Sequence, residues 1–515
     1  PGGSNTLVGQ DGEYCDPQLG CSSRFVAQDV SQEHAHQFYQ EVRLTSNFSG
    51  PLNFVGGANY LSYVTREDYY VFANAISLAA EHFNRFFGGT VTPDAPHIPF
   101  NPTTANYCEP PPALPGAIYS GLAGLGCEYI DPNPLGQTDG MGHNYFYSQN
   151  PYRLNSRAVF GELYYQVAPD VKLTGGLRYT GDSKSFDEYP SWTFLPGKGI
   201  PYQGTIDQNW KEVTGRANIT WTPQLNFTDQ SLLYASYAHG YKGGGANPPG
   251  VTTLYRSDGV LLTSPGNETH PLTFKPEYND AFELGTKNTL LDGTMTLNGD
   301  VFLYKYQNYQ ISQIVDRTSV NLNFNATVRG AEIESTWEPV PGLRFNFAGG
   351  YENATIDDGQ SAIDLMDRTA GHTDWMIVKP AITATSNCIL PTYVVNEILA
   401  EQSGGLGSAC IAAYTKGFYF DNVGVDPATL QPYIDHPTTD LYGNPITNGY
   451  PGFDPATAPN NGEGFAKDLS GNQLPNTPHF TVSFGAQYST PLSTDWAGTL
   501  RGDFYWQGDS FARIF

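Results

Sequence analysis

The stretch KPEYNDAFELGTKNTLLDGTMTLNGDVFLYKYQ, residues 275–307, decides the fold, and NFNATVRGAEIESTWEPVPGLRFNFAGGY, residues 323–351, repeats its plan. Each contains two long runs in which apolar and polar residues alternate, as in Leu297, Val301 and Leu303 among polar neighbours. Because successive side chains of a strand point to opposite faces, such runs predict strands with one apolar face and one polar face. The residues between the runs, 291–293 and 339–342, are rich in Gly, Pro and Asp, which favour tight reversals. The sequence therefore predicts two consecutive β-hairpins.

Alternating runs of the same kind occur on both sides of these hairpins and predict about twelve strands in all. Outside the hairpins, the predicted strands are residues 37–46, 52–65, 156–167, 171–185, 213–221, 231–241, 480–488 and 498–506. A short helix is predicted within residues 73–87, inside the first long connection. The chain is thus expected to be almost entirely β-structure.

The connections between the predicted strands alternate in length, short then long, along the whole chain. The two longest are about 66–155 and 357–475, and both are rich in Pro, Gly and Asn. Since antiparallel neighbours place alternate connections at opposite ends of a sheet, the short turns should lie at one end and the long loops at the other. This asymmetry is typical of antiparallel transmembrane β-barrels, which have short periplasmic turns and long extracellular loops.

The composition agrees with a membrane barrel. Aromatic residues make up 14% of the chain, hydrophobic residues only 39%, and the mean hydropathy is −0.38. A barrel has such values because half of each strand faces water in the lumen. The sequence has no apolar run long enough for a transmembrane helix. The net charge of −25 argues against nucleic acid as a partner.

The six cysteines fall into three pairs of near neighbours in the sequence: Cys15 with Cys21, Cys108 with Cys127, and Cys388 with Cys410. An even number of closely spaced cysteines suggests disulfides in an oxidising compartment, although sequence alone leaves the connectivity open. No pair has the CxxC spacing of a zinc site, and no histidine cluster accompanies them. No metal site or cofactor is predicted.

Five short motifs, taken together, resemble the TonB-dependent outer-membrane receptors. They are QEVRLTS at 40–46, YASYAHGYKGGGANP at 234–248, FKPEYNDAFELGTK at 274–287, RGAEIE at 329–334 and PGL at 341–343. Members of that family have a 22-stranded barrel filled by an N-terminal plug. The resemblance implies that residues 1–515 are a partial barrel domain, a wall of about 12 of the expected 22 strands, and that the plug lies upstream of Pro1.

The resemblance also implies a function. Such receptors sit in the outer membrane of Gram-negative bacteria and import a scarce nutrient, such as a ferric siderophore, cobalamin or a carbohydrate. Their energy comes from TonB, which would act here through the plug. The expected partners are outer-membrane lipid, TonB and a small nutrient ligand, and no enzymatic activity is expected. Two alternatives remain: a passive outer-membrane pore, and a secreted β-rich carbohydrate-binding protein or hydrolase, against which the alternating loop lengths argue.

Two sets of residues are the candidate functional positions. Polar-face charges are expected to line the lumen and hydrogen-bond the plug: Glu162, Arg178, Arg216, Asp300, Glu332, Glu334 and Arg344. Aromatic residues near the long-loop ends of the strands are candidates for the ligand side: Tyr60, Tyr63, Tyr241, Tyr306 and Tyr309. No catalytic residues are predicted, and the sequence does not identify the ligand.

Overall fold

The structure is a computed structural model of the 515-residue chain. It describes residues 12–78 without 17, 146–189, 204–248, 271–315, 318–379, 387–400 and 457–515, with short pieces at 118–120, 135, 192–193, 202, 254–256, 406, 410, 413 and 453. Twelve long strands dominate these residues. They are β1 (Ala27–Thr45), β2 (Leu52–Ala73), β3 (Phe146–Ala168), β4 (Val171–Glu188), β5 (Gly204–Trp221), β6 (Gln230–Lys242), β7 (Glu277–Leu290), β8 (Met295–Val315), β9 (Thr318–Val340), β10 (Leu343–Ile356), β11 (Phe480–Pro491) and β12 (Ala497–Gln507).

The twelve strands form one antiparallel sheet in which each strand pairs with its neighbours in sequence, from β1 to β12. The two-residue strand Trp192–Thr193 adds a thirteenth member by pairing with the start of β3. Within the described part of the chain, the outer edges of β1 and β12 have no strand partner, so the sheet is an open wall. The predicted set of about twelve antiparallel strands is confirmed.

Five two-stranded ladders accompany the wall in its loops. They pair Tyr14–Asp16 with Gly20–Ser22, Ile118–Ser120 with Leu254–Arg256, Gly245–Ala246 with Thr273–Phe274, Ser361–Ile363 with Ala466–Asp468, and Trp375–Val378 with Cys388–Pro391. The helical elements of the described residues include the α-helix Thr392–Ala400 and a 3-10 helix at Pro459–Gly462. Residues 74–78 are also helical, as predicted for the start of 73–87, and residues 79–87 lie outside the described residues.

Several strands are longer than the sequence pattern predicts. β1 begins at Ala27 instead of residue 37, β2 continues to Ala73, and β3 begins at Phe146. The connection predicted as 66–155 is therefore only 74–145, because residues such as Arg66 and Pro151 pair in register across β2 and β3. These extensions carry polar residues on both faces, so the apolar alternation that reveals a half-buried strand is missing from them.

The predicted strict alternation of short and long connections is wrong at one point. β8 and β9 are joined by residues 316–317 alone, and their pairing continues to Val315 and Thr318. These two strands have 21 and 23 residues. A transmembrane strand needs about 9–11 residues. The hairpin therefore projects beyond that length as paired strands, as β2 and β3 also do.

The short turns lie at the opposite end of the sheet, as predicted. The β7–β8 turn places Leu291, Asp292 and Gly293 in left-handed backbone conformations, and the β9–β10 turn does the same at Gly342. A Cβ atom on Gly342 would meet the carbonyl oxygen of Ser489 on β11. Glycine is therefore required at this turn both by its backbone angle and by the close approach of the next hairpin.

No helix among the described residues combines the length and the apolar character needed to cross a membrane.

The long connection between β10 and β11, residues 357–479, contains folded structure of its own. The helix Thr392–Ala400 packs in a buried apolar cluster that includes the disulfide between Cys388 and Cys410. Arg368 and Glu463 form an ion pair whose two side chains are only 5% and 4% exposed. The Arg368 guanidinium also donates to the main-chain oxygen of Glu463 at 2.9 Å. The connection is therefore held together by long-range contacts and is not a simple loop.

Asp364 is a second anchor of this connection. Its carboxylate accepts hydrogen bonds from the Met366 amide at 2.9 Å, from Lys467 at 3.2 Å and from Arg513 at 3.2 Å. Burial opposes ionisation of Asp364, but these hydrogen bonds and the charges of Lys467 and Arg513 outweigh burial and hold its pKa below the ordinary value. The Lys467 hydrogen bond likewise lowers the pKa of Asp367.

This anchor predicts that the connection loosens in acid. Because the pKa of Asp364 is lower in the folded connection, its stabilising effect is complete above the ordinary Asp value of about 3.9 and is lost as the pH falls through the lowered value. The protection factors of the amides in residues 361–368 and 466–470, which correct each exchange rate for its intrinsic dependence on pH, should be high at pH 7 and fall below about pH 4. The variant Asp364→Asn should exchange faster at pH 7 and show a weaker acid dependence. Equal acid dependence in the two proteins would contradict the assignment.

Candidate functional site

The wall has two chemically distinct faces, because the register aligns the alternating residues of all twelve strands. One face, here called the apolar face, carries large hydrophobic side chains that are exposed on every strand. They include Val42 of β1 at 70% exposure, Leu177 of β4 at 68% and Leu500 of β12 at 78%. The other strands contribute Leu52, Leu163, Val213, Tyr237, Leu284, Val301, Ile333, Phe347 and Phe484. Such a continuous exposed apolar surface is far larger than soluble proteins tolerate without a partner.

The opposite face, here called the polar face, carries the charged residues singled out from the sequence. The pairing aligns Glu162 with Gly176 and Arg216, and it aligns Asp300 with Glu332. All seven predicted charges, including Arg178, Glu334 and Arg344, share this face. Their contact with a plug stays a prediction.

The best-formed contact of the polar face spans three strands. Arg216 donates two hydrogen bonds to Glu162, at 2.7 and 2.9 Å. Gly176 lies between them in the register, and a Cβ atom there would stand 2.9 Å from a Glu162 carboxylate oxygen. The missing side chain of Gly176 therefore lets charges on β3 and β5 meet across β4. Beside this pair, Arg178 donates to Thr180 at 3.0 Å and to Asn59 at 3.3 Å.

Two adjoining depressions of about 430 Å³ each lie along these residues. The first is lined by side chains that include Glu41, Arg43, Glu162, Arg178 and Arg216. The second shares Arg178 with the first and continues to Asp182 and Tyr241. The polar face thus offers a track of mixed charge and hydrogen-bonding groups, suited to contact with a polar body or a polar solute.

A cluster that the sequence did not reveal lies at the loop-side end of this track. The Lys184 ammonium donates to the carbonyl oxygen of Gly244 at 2.6 Å and lies 5.4 Å from the ring centre of Trp210. Tyr241 donates to Asp182 at 3.2 Å. Alternation alone shows that Lys184 and Trp210 share a face. Their contact with the 243–244 carbonyls depends on how the loop returns over the sheet, so no sequence signal could have found it.

The five candidate tyrosines do not form one site. Tyr63 lies on the polar face, where its hydroxyl donates to Glu33 at 2.9 Å. Tyr60 lies on the apolar face, since it pairs with Gln40 and Arg157 and alternates with the polar-face residue Asn59. Its assignment to the ligand side stays a prediction.

Tyr306 and Tyr309 lie together, with ring centres 5.1 Å apart. Residues three apart on a regular strand point to opposite faces. Here a bulge with Asn308 at a φ of 56° shifts the register between them, so both point to the polar face. Both rings pack against a buried apolar cluster that covers this part of the polar face.

That cluster is a further feature that the sequence did not reveal. Residues of β8, β9 and β10, such as Phe324 and Ile356, are covered by Leu469, Leu474 and Ile514 from outside these strands. Ile514 is only 2% exposed, and its carbonyl oxygen accepts a hydrogen bond from Asn472 at 2.8 Å. Two chain segments distant in sequence therefore fold over the loop-side part of the polar face.

Two of the three cysteine pairs are joined by disulfides, Cys15 to Cys21 and Cys388 to Cys410. Cys108 and Cys127 lie outside the described residues. Within the described ranges, no group of three or more His, Cys, Asp or Glu side chains could hold a metal ion.

The two-faced antiparallel wall, with short turns at one end and long connections at the other, defines the class as a membrane-type β-barrel wall. A family model for the TonB dependent receptor-like β-barrel matches residues 17–513. The chain therefore belongs to the TonB-dependent receptor family through its barrel domain, and the resemblance seen in the sequence is confirmed.

Comparison with solved structures matches several receptors at low sequence identity. The ferric yersiniabactin uptake receptor FyuA from Yersinia pestis is 11% identical, with a TM-score of 0.49 over 96% of this chain and 46% of its own. The siderophore receptor PiuA from Acinetobacter baumannii is 15% identical, with a TM-score of 0.42 over 89% and 44%. The ferric-catecholate import receptor Fiu from E. coli K12 is 13% identical, with a TM-score of 0.41 over 91% and 44%. This chain spans less than half the length of each of these receptors.

Proposed function

We propose that this chain is part of an outer-membrane active-transport receptor of a Gram-negative bacterium, which imports a scarce small nutrient with energy supplied through TonB. The observation that carries the proposal is the exposed apolar side chains on one face of all twelve strands, opposite a face of charged and hydrogen-bonded groups. In a bilayer, transfer of the apolar face from water to lipid stabilises the wall. The backbone N–H and C=O groups form hydrogen bonds with the neighbouring strands.

The polar face would then line the lumen. The mixed charges of its track, such as Glu162 with Arg216, can hydrogen-bond a folded plug, which would carry the contact with TonB. The edges of β1 and β12, which have no strand partner among the described residues, support further strands of the same barrel, because a bilayer does not tolerate open sheet edges. We therefore propose residues 1–515 as part of a larger barrel domain. The ligand class, whether ferric siderophore, cobalamin or carbohydrate, stays open.

Uptake in intact cells tests this function. Cells that express the receptor should accumulate one ligand of a labelled panel of ferric siderophores, cobalamin and oligosaccharides, and accumulation should fall to background when TonB is deleted. Uptake that persists without TonB would contradict active transport and favour the passive pore. Absence of the receptor from the outer-membrane fraction, or a hydrolysed panel substrate, would favour the secreted alternative.

A matched pair of variants tests, in the same uptake assay, whether the ligand contacts the track. We expect Tyr241→Ala on the track to lower uptake severalfold, because its hydroxyl lies among the groups that face the lumen side. Tyr165→Ala is the control, since this tyrosine is 47% exposed on the apolar face. Equal effects of the two substitutions would indicate loss of folding and would contradict the assignment of Tyr241 to the ligand side.

A further inference from the structure

A pair of cations stands out at the rim of the apolar face. Arg157 of β3, Gly181 of β4 and Lys211 of β5 are directly paired in register, so two exposed cations flank a residue without a side chain. Next to this row lie Val159, Tyr179 and Val213, which are apolar-face residues with exposures of 56%, 46% and 57%. The row therefore lies where the exposed apolar surface ends, about 7 Å further along the strands.

The row borders a groove of about 910 Å³ on the same face. Tyr60 lies under the Arg157 guanidinium, 5.7 Å from its carbon to the ring centre, and the Tyr60 hydroxyl donates to Asn155 at 3.1 Å. Beyond the cations, Asn155, Ser183 and Asn209 form the next row in register, which adds amide and hydroxyl donors. The groove thus passes from apolar side chains through cations to hydrogen-bond donors.

No acidic side chain of the described residues neutralises the two cations. Among the described residues, neither Arg157 nor Lys211 forms an ion pair, whereas Arg153 on the same face pairs with Asp187 at 3.3 Å. The chain has 51 acidic and 26 basic residues, so two unpaired neighbouring cations are not the product of a basic composition. Strands two apart are separated by roughly 10 Å, and long Arg and Lys side chains can converge on one anion over Gly181.

We propose that this groove binds the phosphate of a lipid headgroup in the leaflet on the long-loop side of the membrane. The proposal rests on the membrane location in the proposed function. Acyl chains would cover the Val159 and Val213 row, and the phosphate would lie between Arg157 and Lys211. Tyr60 and Tyr179 occupy the level at which aromatic residues concentrate at membrane interfaces. An Arg guanidinium can donate two parallel hydrogen bonds to two oxygens of one phosphate, which suits this ligand.

Lipid retention by the receptor tests the site. The receptor is purified from outer membranes in detergent and incubated with diphosphoryl lipid A or with the same glycolipid lacking phosphate, and bound lipid is counted by native mass spectrometry. We expect the phosphorylated lipid to be retained at least tenfold better than the phosphate-free one. The double variant Arg157→Ala, Lys211→Ala should lose most of this preference, and Arg157→Lys with Lys211→Arg should keep it.

Arg153→Ala is the matched control, because it removes one cation from the same face outside the row. Retention that is unchanged in the double variant, or lowered equally by Arg153→Ala, would overturn the site. Displacement of the lipid by an equal concentration of inorganic phosphate would also overturn it, in favour of a site for the free ion. Absence of the receptor from purified outer membranes would instead refute the proposed function. Failure of the lipid site and failure of the proposed function therefore give different results.

Discussion

Replacing Leu163 by Arg is expected to destabilise the inserted wall by about 2–4 kcal/mol, the cost of a cation at the bilayer midplane on a lipid-facing strand position. Leu163 is 56% exposed on the apolar face. It pairs with Phe54 and Gly175, midway between Trp221 at the short-turn end and the Arg157 row at the other. The midpoint of urea unfolding of the complete receptor in lipid vesicles, read from heat-modifiable gel migration, measures the change.

Thr174→Arg provides the control for this prediction. Thr174 is the neighbour of Gly175 on β4, pairs with Tyr164, and therefore points to the polar face. The same side chain added there should change the unfolding free energy little, because a lumen position keeps the cation in water. Equal destabilisation by both substitutions would show that the apolar face does not meet lipid.

The second large effect is expected from Arg368→Ala. The variant leaves the Glu463 carboxylate, 4% exposed, without its cation, and breaking one partner of a buried pair costs about 3–5 kcal/mol. Because this pair ties residues 361–379 to residues 457–474, the loss should appear as faster hydrogen exchange and protease cleavage in those two segments. The wall strands should keep their protection, since the pair lies outside them.

Two comparisons make this prediction specific. The double variant Arg368→Met, Glu463→Leu removes both charges and should recover much of the lost protection, because well-packed apolar replacements of buried pairs are often tolerated. Arg501→Ala breaks an exposed pair with Asp503 at 2.8 Å and should have no measurable effect on these segments. Protection that is unchanged in Arg368→Ala would refute the anchoring role of the pair.

The sequence alone determined the strand pattern in the part of the wall where the two faces differ. The runs around Leu297 and Phe347 alternate strictly, because successive residues there point to the apolar face and to the polar face in turn. The period of two in the sequence therefore shows which face each residue occupies. The same signal placed Glu162, Arg216 and Asp300 on one face. The tight turns followed from Gly, Pro and Asp, whose backbone preferences are also local.

The tertiary structure alone decided the features that depend on residues distant in the chain. Beyond the apolar surface both faces mix polar and apolar residues, so the pairing of Arg66 with Pro151 has no periodic signal, and the strand extensions were missed. The bulge at Asn308 changes the face of Tyr309 by inserting a residue, which an alternation count cannot detect. Three contacts join segments that are distant in sequence: the Lys184 cluster, the Arg368–Glu463 pair and the packing of Ile514 against β8–β10. These segments meet only because the loops pack on the sheet. A period of two reports what each residue faces along its own strand, and only the folded chain determines which distant residue it meets.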